Sequence, residues 1–166
     1  MTSNNSDAPM PALIGLGANI PSQAGPPTKT LNAALAALAG AGVEITAVSP
    51  FYETEAWPEP GDPRFLNAVA AIRARLQPFA LLTLLHEVET AFGRKRSVPN
   101  APRSLDLDLL DYGGIILDGP VVLPHPRIAQ RRFVLEPLQA VAPGWRHPVS
   151  GLDAGTMLKS LRSRVP

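Results

Sequence analysis

Residues 104–111 read Ser-Leu-Asp-Leu-Asp-Leu-Leu-Asp, an alternation of leucine and aspartate that only an extended strand with two unlike faces can satisfy. In a strand, Leu105, Leu107 and Leu109 share one face, and Asp106 and Asp108 project side by side from the other, about 7 Å apart by the rise per residue. Asp is depleted in strands and neighbouring like charges repel, so the pair is unfavourable without a countercharge. A divalent cation would supply one, and magnesium takes one or two carboxylates and completes its octahedron with phosphate oxygens and water. A solvated strand face, or pairing with nearby Arg, is the alternative. By parity Asp111 falls on the leucine face, as a strand-end or turn residue.

Positive charge gathers around this segment. Residues 1–93 hold 4 basic and 8 acidic side chains, whereas residues 94–166 hold 11 basic and 6 acidic, so the second half faces any anionic ligand. Arg94, Lys95, Arg96 and Arg103 precede the carboxylate strand without an intervening acid, and Arg127, Arg131 and Arg132 follow it. Carboxylates for a metal beside Arg forks for phosphate oxygens are what polyphosphate transfer requires. The other reading is a basic solvated loop or an RNA-binding patch. Carboxylates on the open face and the lack of an RRM-type aromatic motif argue against RNA.

Other chemistries are excluded more directly. The chain has no cysteine, which removes disulfides, thiolate nucleophiles and Cys-ligated metals and suits a cytoplasmic protein. No apolar run approaches the ~20 residues of a membrane span. No G-x-x-x-x-G-K-[ST] or G-x-S-x-G motif occurs, and Gly15-Leu-Gly17 lacks the third glycine of a dinucleotide fingerprint. Those two glycines read as a tight strand exit. His86, His125 and His147 have no metal-ligand spacing. His125, between Pro124 and Pro126, could reach phosphate as a neutral or protonated imidazole.

With 166 residues and 45% hydrophobic content, one domain is expected over residues 11–166 after a flexible tail at 1–10. The pattern predicts strands at 12–18, 43–52 (interrupted or brought to an edge by Pro50), 65–76 and 105–112, with helices at 28–39 and 78–92. Gly113-Gly114 predicts a turn into a hairpin partner at 115–123, with a second turn near Asp118–Gly119. Short helices follow at 133–141 and 156–164. The order β-α-β-β-α-β gives an α+β, ferredoxin-like antiparallel sheet with helices on one face, an appended hairpin and C-terminal helices. The other sheet face stays open for a site. Phe51, Tyr52, Trp57, Phe65 and Phe133 either stack on a flat heterocycle or pack in the core.

Phe51-Tyr-x-Thr54, Phe65-Leu-Asn67, Gly93-Arg-x-Arg96, Pro102-Arg-Ser-Leu-Asp-Leu-Asp108, Leu123-Pro-His-Pro126 and Arg131-x-Phe133-Val-Leu-x-Pro-Leu138 occur in this order. Together they resemble the 6-hydroxymethyl-7,8-dihydropterin pyrophosphokinase family of folate biosynthesis over residues 11–148. The resemblance implies transfer of the β,γ-pyrophosphoryl unit of ATP, the co-substrate, to the pterin hydroxymethyl oxygen, with release of AMP and two Mg²⁺ ions. It implies that Asp106 and Asp108 hold metal, and that Arg94 and Arg103 are the catalytic-loop arginines. It also implies that Arg96, His125 and Arg131 contact nucleotide or phosphate, and that Thr54, Phe65, Asn67 and Phe133 bind the pterin. The implied partners are these two small molecules, with no nucleic acid, membrane or obligate protein partner. Many relatives carry Arg-Trp-Gly before the Pro-Arg pair, where this chain has Pro99-Asn-Ala101, and Trp57 is a candidate to close over the substrate instead. The alternative class is a nucleotide- or RNA-binding ferredoxin-like module without turnover.

Overall fold

Five strands form one antiparallel sheet in the computed structural model, which describes residues 8–55, 61–94 and 103–163. They are β1 (Met10–Ala18), β2 (Glu44–Val48), β3 (Tyr52–Thr54), β4 (Phe65–Ala74) and β5 (Asp106–Tyr112), in the order β2-β4-β1-β5, with β3 also on β4. Four helices accompany them: α1 (Pro27–Gly40), α2 (Pro78–Ala91), α3 (Arg132–Val141) and α4 (Ala154–Ser163). The first strand begins at Met10, inside the segment expected as tail. Among the described residues no helix is long and apolar enough to cross a membrane.

One sheet face carries Ala12, Ile14 and Leu16 of β1, Ala68, Ala70 and Ile72 of β4, and Leu107 and Leu109 of β5. It packs on Leu31, Ala34 and Leu38 of α1 and Leu81, Leu85 and Val88 of α2. The small alanines of β4 let the two helices approach closely, and each buried leucine contributes roughly 1.5–3 kcal/mol of apolar transfer. The expectation of helices on one face holds only for α1 and α2. Leu13, Val69 and Leu110 make one end of the opposite face apolar as well, and α3 and α4 cover it with Val134, Leu135, Leu138, Met157 and Leu158. Only the end of that face bearing Asn67, Asp106 and Asp108 has no place in this second cluster.

Two further expectations are corrected. Residues 115–123 are not a strand paired with β5. Pro120 cannot donate to a ladder, although both expected turns form, Gly113 and Gly114 with φ of 58° and 73° and the second about Asp118–Gly119, where the segment folds back through the Leu117–Leu123 bridge. Asp111 does not share the leucine face either. The register between β1 and β5 shifts by one residue at Leu110, so Asp111 pairs with Leu13 on the α3/α4 side. There Asp111 accepts the Gly114 N–H at 3.2 Å, and burial pushes its carboxyl above the usual range.

Pro50 does break the edge, separating β2 from β3. Buried Ser49 bridges the gap, its backbone N–H donating to the Val69 carbonyl at 2.9 Å and its Oγ accepting the Val69 N–H at 3.0 Å. Ser49→Ala leaves that N–H without an acceptor and is expected to lower stability by about 1–2 kcal/mol. Urea unfolding checks this, and a midpoint equal to the parent's refutes it.

Candidate active site

The antiparallel register sets the site out in rows. Tyr52, Asn67, Gly17 and Asp106 lie opposite one another across β3, β4, β1 and β5, and Val69, Gly15 and Asp108 form the next row. Thr54 faces Phe65 at the end of the same surface. Directly paired residues share a face, so Asn67 and Asp106 stand on either side of a glycine floor. Gly15 and Gly17 are therefore not an exit turn; they lie within β1. Missing side chains there leave a shallow trough, and a Cβ on Gly17 would come within 3.2 Å of Asn67 Oδ1.

Asn67 is buried and donates through Nδ2 to Thr54 Oγ1 at 2.7 Å. Its Oδ1 faces the trough beside Gly17. Phe65 is half-buried on β4, and Phe133 is exposed in the first turn of α3 with the Arg131 guanidinium 5.4 Å from its ring centroid. The two rings are not in contact, and they stand on separate elements.

The carboxylates are set among arginines. Asp106 receives Arg94 and Arg103, the latter at 3.2 Å, and Asp108 faces Arg131 at 3.6 Å. Burial and the adjacent Asp106 charge push the Asp108 carboxyl up to about 6, against the opposing pull of Arg131. Arg94 is also paired with Glu89; burial disfavours its charge, but the Asp106 and Glu89 carboxylates outweigh this and hold it above the ordinary value. No group of three or more metal-ligating side chains occurs among the described residues. Two carboxylates suit a magnesium site whose remaining positions are completed by substrate phosphates and water.

His125 donates its backbone N–H to the Leu110 carbonyl at 2.8 Å, and its Nδ1 accepts the Arg127 N–H. The segment after β5 is thereby tied back toward Asp108. Burial, with the Arg131 and Arg127 charges, lowers the His125 pKa to about 4. The imidazole is thus neutral near pH 7, with its proton on Nε2. It offers a hydrogen-bond donor rather than a second cation.

The structure therefore brings Arg94 and Arg103 onto Asp106, and Arg131 onto the neighbouring Asp108, as two adjacent sets of ion pairs, with Asn67 across the trough from Asp106. Arg96, Trp57 and Pro99–Ala101 lie outside the described residues. Two residues of the site had not been singled out from the sequence. Glu89, 1% exposed, accepts the Leu107 backbone N–H at 2.9 Å as well as Arg94. Its signal was legible: an acid four residues after Leu85 lies on the apolar arc of α2. Asn19, buried just after β1, accepts the Arg103 N–H and donates to the Pro63 carbonyl; no periodicity marks it.

Comparison with known proteins shows the family of the chain. Residues 13–143 match the family model described as 7,8-dihydro-6-hydroxymethylpterin-pyrophosphokinase. The chain is 41% identical over 142 residues to the 2-amino-4-hydroxy-6-hydroxymethyldihydropteridine pyrophosphokinase of Synechocystis sp., covering 84% of this chain and 70% of that protein. It is 39% identical over 134 residues to the protein of that name from Methylorubrum extorquens, covering 80% and 82%. The crystal structure of wild-type Plasmodium falciparum HPPK-DHPS shares the fold, with a TM-score of 0.73 at 14% identity; the match covers 97% of this chain and 42% of that longer one. On the family match and these identities, the chain belongs to the 7,8-dihydro-6-hydroxymethylpterin-pyrophosphokinase family.

Proposed function

We propose that this chain transfers the β,γ-pyrophosphoryl unit of ATP to the hydroxymethyl oxygen of 6-hydroxymethyl-7,8-dihydropterin, releasing AMP, as a step of folate synthesis. The family match over residues 13–143 carries the reading. The trough supports it locally, with an amide on one side and paired carboxylates within an arginine network on the other.

Asp106 and Asp108 are the residues that would hold two magnesium ions, which would neutralise phosphate charge and orient the nucleotide. Arg94 and Arg103 reach Asp106 in this structure, within reach of phosphate oxygens gathered at the same carboxylate. Their role is to stabilise charge that shifts to the leaving α-phosphate. Arg131 and neutral His125 add a fork and a donor on the Asp108 side, and Arg96 is a further phosphate contact by resemblance. Asn67 presents donor and acceptor to the pterin edge, oriented by Thr54, while Phe65 and Phe133 offer their faces to the ring. Among the described residues no side chain stands out as a dedicated base, which suits a reaction driven by positioning and electrostatics.

We read the fold as ferredoxin-like over residues 11–166 in a single catalytic domain. Supporting this, β2 and β3 count as one strand broken at Pro50, which gives βαββαβ with the observed neighbours, and both helix layers share one sheet.

The purified protein, incubated with ATP, Mg²⁺ and the reduced hydroxymethylpterin, is expected to release AMP only when the pterin is present. Omitting Mg²⁺, or substituting Asp106→Ala and Asp108→Ala together, is expected to abolish it. Acceptor-independent ADP would point to another phosphotransferase, and nucleotide binding without turnover to a binding module.

A further inference from the structure

Glu89 is almost completely buried on the sheet side of α2, where an unpartnered carboxylate would be strongly unfavourable. Among its partners are a guanidinium and a backbone N–H. Its Oε2 accepts the Arg94 guanidinium and the Leu107 N–H. Among the described residues β5 is the outer strand of the sheet, and the Glu89 carboxylate accepts the Leu107 N–H on the side away from β1. Leu107 is the residue between Asp106 and Asp108. One buried charge thus contacts both the backbone that sets the two aspartates and the arginine that reaches Asp106.

We infer that Glu89 is a positioning residue for the transfer: its charge holds Arg94 at the phosphate side of the site when the Asp106 carboxylate is occupied by a cation. The inference rests on the reading of Arg94 as a catalytic arginine. Arg94 is shared between two carboxylates, of which only Asp106 is open to ligand. When Asp106 is engaged, Glu89 remains as the anchor, and Arg94 is retained beside the phosphates. A glutamine at position 89 would still accept the Leu107 N–H, but it would offer Arg94 no charge.

Four proteins test this: the parent, Glu89→Gln, Arg94→Ala and the double variant. Glu89→Gln is expected to lower kcat about 10- to 100-fold with the pterin KM within about twofold. In the Arg94→Ala background the same change is expected to alter kcat by less than about threefold, because the partner through which it acts is gone. Added guanidinium ion is expected to restore part of the Arg94→Ala turnover. With nucleotide and metal both absent, the same ion at the same low concentration is expected to raise the Tm of Arg94→Ala, and neither effect should persist in the double variant.

Equal loss of kcat from Glu89→Gln in both backgrounds would make Glu89 a merely structural residue and overturn the inference. So would a Glu89→Gln kcat within threefold of the parent, or guanidinium rescue that survives in the double variant. Should Glu89→Gln not fold, Glu89→Asp keeps the charge but draws it back by one methylene. It is expected to lose about tenfold in kcat, and parental kcat in that variant would overturn the inference. Arg94→Ala at parental activity would remove the reading of Arg94 along with it, whereas the other failures leave that reading intact.

Discussion

Asp108→Asn is expected to melt at a higher temperature than the parent protein at pH 8 while losing at least about a hundredfold in AMP release. The folded-state pKa of Asp108 is about 6, above its ordinary 3.8, because burial and the Asp106 charge disfavour ionisation. A carboxyl raised on folding contributes stability that is present below about pH 4 and is lost as the pH rises through 6. At pH 8 the metal-free protein therefore carries an ionised group that the fold resists. Asparagine keeps the size and removes the charge. Loss of the Arg131 partner offsets part of the gain, and the partly exposed site weakens it further, leaving roughly 1–2 kcal/mol. The difference in Tm should shrink between pH 8 and pH 5, where aspartate takes up its proton. Thermal melts in a metal chelator at both pH values provide the check. A variant less stable than the parent at pH 8, or equally offset at both pH values, contradicts the account.

The same repulsion explains why the segment was so legible. Leucine and aspartate in alternation admit one backbone and one division of faces, and Leu107 and Leu109 do pack beneath α1 and α2. The alternation was less informative one turn of the pleat further on. An extra residue at Leu110 swaps the face of Asp111, and no side-chain pattern reports a bulge, because the cause lies in the pairing with β1. Gly15 and Gly17 show a related limit. Two glycines near a strand end look like an exit from sequence, and only the register across three strands shows them to be the floor between Asn67 and Asp106. Residues 115–123 alternate well enough for a strand, yet Pro120 and the fold-back at Leu117–Leu123 take the segment away from β5. Glu89 is the instructive omission, since an acid on the apolar arc of an amphipathic helix must have a buried partner. The partner, Arg94, had already been singled out for other reasons.

Asn19→Ala is expected to be the most damaging substitution that replaces neither a carboxylate nor an arginine. Asn19 is 4% exposed, immediately beyond β1. Its Oδ1 accepts the Arg103 N–H at 2.6 Å, its Nδ2 donates to the Pro63 carbonyl at 3.1 Å, and its own N–H donates to the Arg103 carbonyl at 3.0 Å. One side chain thus joins the segment entering β4, the end of β1 and the segment entering β5. These are the three strands that carry Asn67, Gly17 and Asp106. Alanine leaves two partly buried backbone groups without partners, for an expected loss of about 2–4 kcal/mol. It also frees the backbone that aims the Arg103 guanidinium at Asp106, and misplacement of a charge by about 1 Å can cost a hundredfold in turnover. Asn19→Asp separates the two contributions. It retains an acceptor for the Arg103 N–H but sets a carboxylate oxygen against the Pro63 carbonyl, so it should lose stability while keeping more of its kcat than alanine does. Urea unfolding together with kcat, measured at a temperature where all three proteins are folded, reads both quantities. If Asn19→Ala is destabilised and its kcat stays within threefold of the parent's, the clamp supports the sheet alone and Arg103 is aimed by its own ion pair with Asp106.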